Sequence, residues 1–371
     1  MKSSIVFVLP TVGQPRFSKR IETVSTALHL KGVFAFQRDY HKGSNVGHKV
    51  ELLGELRKGR YIARLNAYLK ALLVVRKSVK DTDIIYLFGS DLVFLGVIAC
   101  IFTKCQVVVE VGDIRPIQTS KGVLSRIYRC IERLFLAKVG LLVVTSEKFK
   151  TEFFQACYRI ENIVVVENKV QFSWYDKGYY TRLLKAEEES GRVKIGYFGL
   201  LRCAWSANCL YHLLSEYSNK FELVLAGFVF DGYTEFQKLI SLDNVLYLGE
   251  YKNPEQVSCL YNEVDIVWGA YKPIESSDYN LKWARTNRFY EATVMGKPLI
   301  LREGSQDGVF GKSLGNSVLL SDANYVTCAE RIAAELPDKM TSLRTASDRV
   351  KALDYTTKEQ DLTLIERLLE I

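Results

Sequence analysis

The sequence predicts an α/β protein built from two Rossmann-like, doubly wound units. Three features of the 371-residue chain point to this class. Short apolar runs of strand length alternate with amphipathic stretches of helix length, the pattern of parallel strands joined by helical crossovers. The alternation is interrupted once, by the polar and aromatic-rich stretch 172–192. The length also suits two domains of ordinary size. The expected organisation is a basic first unit over 1–172, a linker over 173–192, a second unit over 193–352, and a C-terminal helix over 353–371 that can cross back to the first. Two such units are expected to face each other across a cleft.

Each element has a local reason. "SIVFVLP" is a first strand, "RFSKRIETVSTALHLKG" a helix ending at Gly32, and "VFAFQRD" a second strand. "LRKGRYIARLNAYLKALLVVRKSVK" (56–80) is a long basic amphipathic segment. "DIIYLF" and "QVVVEVGD" are strands, "VLSRIYRCIERLFLAKV" is a helix, and "GLLVVTS" and "IVVVEN" are further strands. Beyond the linker the pattern resumes with strand "RVKIGYFG", helix "SANCLYHLLSEY" and strands "FELVLAG" and "NVLYLGE". Then come "PEQVSCLYNEV", "DIVWGAY", a helix over 287–295 and strand "PLILRE".

Composition narrows the function classes. With 48% hydrophobic and 25% charged residues the chain reads as soluble and globular, not disordered. The apolar start "MKSSIVFVLPTVG" is too short for a secretion signal and turns at Pro10. The run 84–102 approaches membrane-span length, but Gly89, Ser90 and Asp91 at its centre favour strand, turn and helix. Eight cysteines show no CxxC spacing and no clustering with histidine, so buried free thiols in a reducing cytosol are expected, and no metal site.

The net charge of +8 is uneven. Residues 1–170 carry 27 Lys+Arg against 14 Asp+Glu, while 171–371 carry 23 against 28. A basic half suggests an anionic partner or a solvated basic face. The segment 56–80 could lie on anionic lipid or pack by its apolar side. No nucleic-acid-reading module accompanies the charge, so a nucleic-acid partner is not expected.

In open parallel sheets ligands bind outside the carboxyl ends of strands. Three turns there carry candidate chemistry. In "IGYFGLLRCAWSANC" Gly199 lets backbone approach a ligand, Ser206 can cap a helix whose N-terminus favours anions, and Arg202 can grip a diphosphate. An ordinary turn with an exposed arginine gives the same pattern. In "NLKWARTNRFYEATVMGKPLI" Thr286 can cap a helix that ends before Gly296, with Phe289, Ala292 and Thr293 on the packed side. Asn287 and Glu291 lie on another face, and an arginine in the first turn, Arg288, suits an anion opposite it. A surface ion pair would also explain Arg288. In "VVVEVGDIRP" Asp113 follows a buried strand, and Glu110 within it can be an ion-paired strand residue. His41 and His48 in "HKGSNVGHK" read as loop polarity or the mouth of an acceptor site, while His29 and His212 fall in expected helices.

Taken in order, these turns resemble the GT-B glycosyltransferases, in particular the retaining family 4 group that builds bacterial polysaccharides. "NRFYEATVMGKPLI" carries the most specific likeness, supported by "VKIGYFGLLR", "NVLYLGEYKNPEQVSCLYNEVDIVWGAYKP", "VVVEVGDIRP" and the closing "YTTKEQDLTLIERLLEI". The resemblance implies a GT-B fold and transfer of a sugar from a nucleotide-sugar donor to a saccharide acceptor, lipid-linked or free, without a metal or other cofactor and with retention. It implies a donor site of Gly199, Arg202, Gly249, Tyr251, Asn287, Arg288 and Glu291, in which Glu291 holds the ribose hydroxyls. Arg202 and Arg288 would stabilise the leaving diphosphate, Arg288 standing where the group has lysine. Gly13, Arg16, Asp113 and Arg115 would form the acceptor side, with Asp113 nearest the reacting sugar. A cytoplasmic chain, peripheral on the inner membrane face, is the expected location. Three positions depart from the group: Ala207 where a lysine is usual, Trp283 where an acid is usual, and Thr286 where proline is usual. A nucleotide-sugar epimerase on the same architecture and a catalytically silent binding subunit are the rival readings.

Overall fold

The computed structural model describes residues 2–37, 48–56, 61–183, 191–230, 232, 234–275 and 277–371, with the side chains of 15 and 61–65 set aside. His41, the start of the 56–80 segment and residues 184–190 of the expected linker lie outside them. The chain divides into two compact units, Met1–Glu167 with Glu359–Ile371, and Asn168–Lys358.

In the first unit the strands are β1 (Ser4–Leu9), β2 (His29–Gln37), β3 (Val50–Glu55), β4 (Ile84–Phe88), β5 (Gln106–Val111), β6 (Leu141–Val144) and β7 (Ile163–Val165). Among the described residues they form one seven-stranded sheet, in the order β3-β2-β1-β4-β5-β6-β7. Every pairing is parallel. Strands β1, β4 and β6 are buried on both faces, which is why they read as unbroken apolar runs rather than alternating ones. The helices are α1 (Pro15–Ala27), α2 (Tyr61–Val79), α3 (Val93–Cys100), α4 (Pro116–Thr119) and α5 (Val123–Leu136), followed by a π-type helix over Phe149–Tyr158.

The α1 helix stops at Ala27, not at Gly32. His29 is already in β2, its N–H bonded to the Ser3 carbonyl at 2.9 Å, because pairing with β1 outcompetes continued helix. The apolar run 84–102 resolves into β4, a turn over Ser90–Leu92 and the eight-residue α3. Among the described residues no helix is long and apolar enough to cross a membrane.

The second unit opens with α6 (Phe172–Asp176), which brings Trp174 into that unit's core together with Tyr180. Its strands are β8 (Val193–Leu201), β9 (Phe221–Val229), β10 (Val245–Tyr247), β11 (Ile266–Trp268), β12 (Leu299–Arg302) and β13 (Ser317–Leu320), in the order β10-β9-β8-β11-β12-β13. The helices are α7 (Ala204–Glu216), α8 (Thr234–Ile240), α9 (Val257–Asn262), α10 (Tyr279–Trp283), α11 (Asn287–Val294), α12 (Gln306–Leu314) and α13 (Tyr325–Asp348). α14 (Lys358–Leu369) follows, and its Leu364 and Leu368 pack with Phe17, Ile21 and Val24 of α1 on the first sheet. Both faces of the second sheet are covered: α7 and α13 pack on one, α9 and α11 on the other. The cysteines are free as expected, but Cys130, Cys157 and Cys259 are exposed, not buried.

Candidate functional site

In the second unit β8 runs past Gly199 to Leu201 and pairs with β9 along its whole length, so that Gly199 lies opposite Gly227. Both have positive φ, +102° and +129°, a region closed to most side chains. A Cβ on Gly227 would fall 1.9 Å from the Gly199 carbonyl oxygen, so only glycine permits this approach. The Gly227 N–H donates to the Gly249 carbonyl at 2.7 Å, and Tyr247 Oη donates to the Gly227 carbonyl at 2.9 Å. Gly199, Gly227 and Gly249 thus form a row of bare backbone across the carboxyl ends of neighbouring strands.

From β8 the chain builds outward to β9 and β10, then returns to the other side of β8 to form β11. The gap between β8 and β11 is therefore the topological switch point of this sheet, the place where open α/β sheets bind ligands. Arg288 plugs it. Its Nε donates to the Phe198 carbonyl at 2.8 Å and its Nη1 to the Trp268 carbonyl at 3.1 Å. The guanidinium lies 4.5 Å from the centre of the Tyr197 ring, and only 7% of the residue is exposed. A buried cation needs compensation, and here strand-end carbonyls and an aromatic face supply it. Among the described residues Nη2 has no hydrogen-bond partner, and it lies within 3.8 Å of where a Gly199 Cβ would sit. The uncommitted edge of the guanidinium is turned toward the glycine row.

The helix that carries Arg288 is fixed at both ends. Thr286 Oγ1 accepts the Phe289 N–H at 3.2 Å, and Gly296 follows the last turn with φ +62°. Asp307 in turn accepts from the Thr286 N–H at 2.9 Å and from its Oγ1 at 2.7 Å. Burial pushes the Asp307 carboxyl up to about 6, although the bonds from Thr286 act the other way. Asp307 was not singled out in the sequence; the acid lies twenty-one positions away from the cap it orients.

Glu291 departs from expectation. Packing on α11 is not confined to Phe289, Ala292 and Thr293, since every residue from Arg288 to Val294 is buried. Glu291 is 6% exposed. Its Oε1 accepts from Asn253 Nδ2 at 2.8 Å and its Oε2 from Tyr261 Oη at 2.9 Å. Asn287 is exposed and does not share this environment. Tyr180 and Tyr251 complete the surroundings; burial first, and then the Glu291 charge, push both phenols above their ordinary range. The buried Tyr180 Oη has no hydrogen-bond partner among the described residues. Asn253, Tyr261 and Tyr180 carry no sequence signal of their own, because nothing short-range links them to position 291.

Arg202 is exposed at the turn between β8 and α7. The helix begins at Ala204 with Cys203 as its cap and without a side-chain capping bond. Ser206, the expected cap, is wholly buried and donates to the Ala270 carbonyl at 2.8 Å. Ala207 is also wholly buried, in the core between the sheet and its helices, where a lysine has no room.

In the first unit Gly13 turns the chain after β1 with φ +82°. Arg16 reaches over the end of β5, where a Cβ on Gly112 would fall 1.4 Å from its Nη1. Glu110 is wholly buried and accepts from Arg20 Nε at 2.8 Å and from Tyr86 Oη at 2.6 Å, with Arg16 Nε 4.0 Å away. Asp113, next to Gly112, is exposed and has no partner among the described residues. Arg16 and Asp113 therefore share the carboxyl end of β5. Arg115 is drawn away from it: its guanidinium donates to Tyr128 Oη and lies 4.0 Å from Asp91. Tyr128 passes the chain on to the buried Glu132 at 3.0 Å.

No protein-family model matches the chain. It is 24% identical over 300 residues to the succinoglycan biosynthesis protein ExoL of Rhizobium meliloti (strain 1021), covering 77% of this chain and 73% of the relative. Among solved structures it is similar to HepE of Anabaena in complex with UDP and glucose, with a TM-score of 0.69, 16% identity and complete coverage of both chains. The lipopolysaccharide outer core galactosyltransferase WaaB, in its apo form, gives 0.61 at 14% identity over 99% of each chain. A UDP-N-acetylglucosamine 2-epimerase gives 0.57 at 13% identity over 95% of this chain and 92% of that one. Two parallel, doubly wound α/β units, of seven and six strands among the described residues, make this the GT-B fold.

Proposed function

We propose that the chain is a glycosyltransferase that moves a sugar from a nucleotide-sugar donor to a saccharide acceptor in bacterial polysaccharide synthesis. The observation that carries the reading is Arg288 at the switch point of the second sheet, held by two strand-end carbonyls, with one guanidinium nitrogen left toward bare glycine backbone. A fixed cation beside a row of glycines is the arrangement a diphosphate needs, and it stabilises the charge that develops as the nucleotide leaves. Arg202, exposed at the neighbouring turn, is assigned to the same group. Glu291 is assigned to the ribose hydroxyls and the turn from Gly249 to Tyr251 to the base, with Asn287 at the rim. Gly13, Arg16, Asp113 and Arg115 belong to the acceptor side in this reading, Arg115 acting from its bond to Tyr128. Transfer proceeds without a metal ion, and retention is taken from the family 4 resemblance alone. ExoL supports the polysaccharide context, and HepE makes a uridine diphosphate sugar the first donor to test.

The likeness to a UDP-N-acetylglucosamine 2-epimerase keeps epimerisation as a second reading. A thermal-shift screen across UDP, GDP, ADP, CMP and dTDP tests donor binding, because a ligand that prefers the native state raises the melting temperature. One nucleotide, UDP first, is expected to stabilise the chain, and no shift with any of them would refute the donor site. Incubation with the matching radiolabelled donor then separates the reactions: label appears on a saccharide acceptor for a transferase, or in an epimeric donor for an epimerase.

A further inference from the structure

A cavity of about 420 Å³ lies wholly within the second unit, at the C-terminal end of α11. That volume falls in the range of small-molecule sites, about 300–1,000 Å³. Thr293, Val294 and Gly296 form one wall. The segment that follows α6 forms a second, and the end of α13 with Val350 and Ala352 a third. These walls are held in place. Ser258 Oγ on α9 accepts the Thr181 N–H at 2.9 Å, and Asn262 Nδ2 donates to the Thr181 carbonyl at 2.9 Å. Asn262 Oδ1 also accepts the Leu183 N–H at 3.1 Å. From the same segment Arg182 pairs with Asp348 on α13. It also packs against Gly296, where a Cβ would fall 2.5 Å from its Nη1. No residue assigned to the donor is among those that line this cavity.

Two of the walls carry a buried hydroxyl with no hydrogen-bond partner among the described residues. These are Tyr180 Oη and Ser347 Oγ, on residues that are 3% and 2% exposed. Buried hydroxyls are ordinarily bonded, and one left without a partner costs stability. Each can both donate and accept. Thr293 Oγ1 donates to the Phe289 carbonyl at 2.7 Å and Thr181 Oγ1 to the Gly178 carbonyl at 2.7 Å, so both keep acceptor capacity. The charged residues of the lining, Asp176 and Arg182, are of opposite sign, and Arg182 is already paired. Neither an anion nor a cation is therefore favoured. Tyr175 and Tyr180 add aromatic surface. We infer that this cavity is a binding site for a neutral monosaccharide, whose hydroxyls both donate and accept and whose C–H faces suit an aromatic wall. Tyr180 Oη and Ser347 Oγ anchor the sugar, and the exposed Asp176 accepts from a further hydroxyl. Thr293 and Val294 belong to α11, so a sugar held here rests against the helix that carries Arg288 and Glu291. The site goes beyond the donor reading and does not depend on it.

Ligand-observed NMR titration of the full chain tests it, with glucose, galactose and N-acetylglucosamine as probes and inorganic phosphate as the anionic control. One of these sugars is expected to bind in the millimolar range, as befits a few neutral hydrogen bonds, and phosphate is expected not to displace it. Ser347→Ala should weaken that sugar about three- to tenfold. The same variant should keep or raise the melting temperature, because a hydroxyl without a partner is removed. Tyr180→Phe should weaken the sugar by a similar factor. Val350→Trp, at a half-buried position, should fill the cavity and abolish sugar binding. The inference is overturned if no sugar binds, or if phosphate displaces the sugar. It is equally overturned if Ser347→Ala binds the sugar like the wild type, or melts lower than the wild type, which would make the hydroxyl structural. Nucleotide titration in parallel separates the two sites: a chain that binds the sugar but no nucleotide would uphold this inference and refute the donor site.

Discussion

Replacing Glu291 separates a ligand-holding carboxylate from a purely structural one. Its two oxygens each accept one hydrogen bond, a partly buried one from Asn253 at 2.8 Å and a buried one from Tyr261 at 2.9 Å. An ionised carboxylate offers about four lone-pair directions, so about two remain for ribose hydroxyls. Glu291→Ala leaves the buried Tyr261 hydroxyl unpaired, at about 1–3 kcal/mol, and the partly buried Asn253 amide unpaired at a smaller cost. That is a large part of a typical stability of about 5–15 kcal/mol, so alanine is a blunt tool here. Glu291→Gln keeps the volume and one acceptor, and should cost only about 1–3 kcal/mol of stability. It should also weaken nucleoside diphosphate binding by about 10- to 150-fold, the equivalent of one charged hydrogen bond of about 1.5–3 kcal/mol. Isothermal titration of the folded glutamine variant, alongside its melting temperature, reads the two effects separately. A lowered melting temperature with wild-type nucleotide affinity would refute the ribose assignment and leave Glu291 as the brace between α11, α9 and the Asn253 loop.

Three further outcomes follow from the same geometry. Gly227→Ala sets a Cβ 1.9 Å from a backbone oxygen at a φ of +129°; it should lower stability by at least about 2 kcal/mol in urea unfolding, and an unchanged midpoint would contradict the close approach. Arg288→Lys keeps the charge but cannot hold both the Phe198 and Trp268 carbonyls and still point at a ligand; nucleotide affinity should fall by about tenfold or more, and equal affinity would show that charge alone suffices. For Asp307 the folded carboxyl is held at about 6 against an ordinary 3.8, so between about pH 4 and 6 the native state binds more protons than the unfolded chain. This group's contribution to stability therefore falls as pH rises through that window, by on the order of 2–3 kcal/mol, and is constant above it. Asp307→Asn keeps the size and an acceptor for Thr286 and should remove that slope, and parallel pH profiles for wild type and variant would refute the assignment.

What was legible in the sequence follows the range of the interactions involved. Strands buried on both faces, such as β1 and β4, announce themselves because burial acts on every residue of a contiguous run. The α11 helix was legible at its ends, since Thr286 and Gly296 are local punctuation. The end of α1 was not, because an intrinsically helical "LHLKG" is captured by pairing with β1, an interaction across twenty-five residues. Ser206 failed as a cap for a similar reason: its hydroxyl is taken by the Ala270 carbonyl, sixty-four positions on.

The same distinction explains why the site itself was only half visible. Periodicity set Asn287 and Glu291 apart from Phe289, Ala292 and Thr293, and from that Glu291 and Arg288 were expected to be free to face a cleft. Periodicity reports which residues differ from the apolar face, but it does not report what covers the other face. Here that face is covered by strand ends and by Asn253 and Tyr261, so both charged groups are buried and already bonded. Burial does not weaken the donor assignment. A surface arginine would be screened and mobile, whereas one fixed by two carbonyls holds its remaining nitrogen in place at little further entropic cost. A buried carboxylate with two fixed donors is likewise pre-oriented for whatever its remaining lone pairs accept. The protein bonds that occupy part of each group are the ones that would aim it at a ligand, which is why Glu291→Gln, altering the aim and the charge together while sparing the packing, is the substitution that decides the assignment.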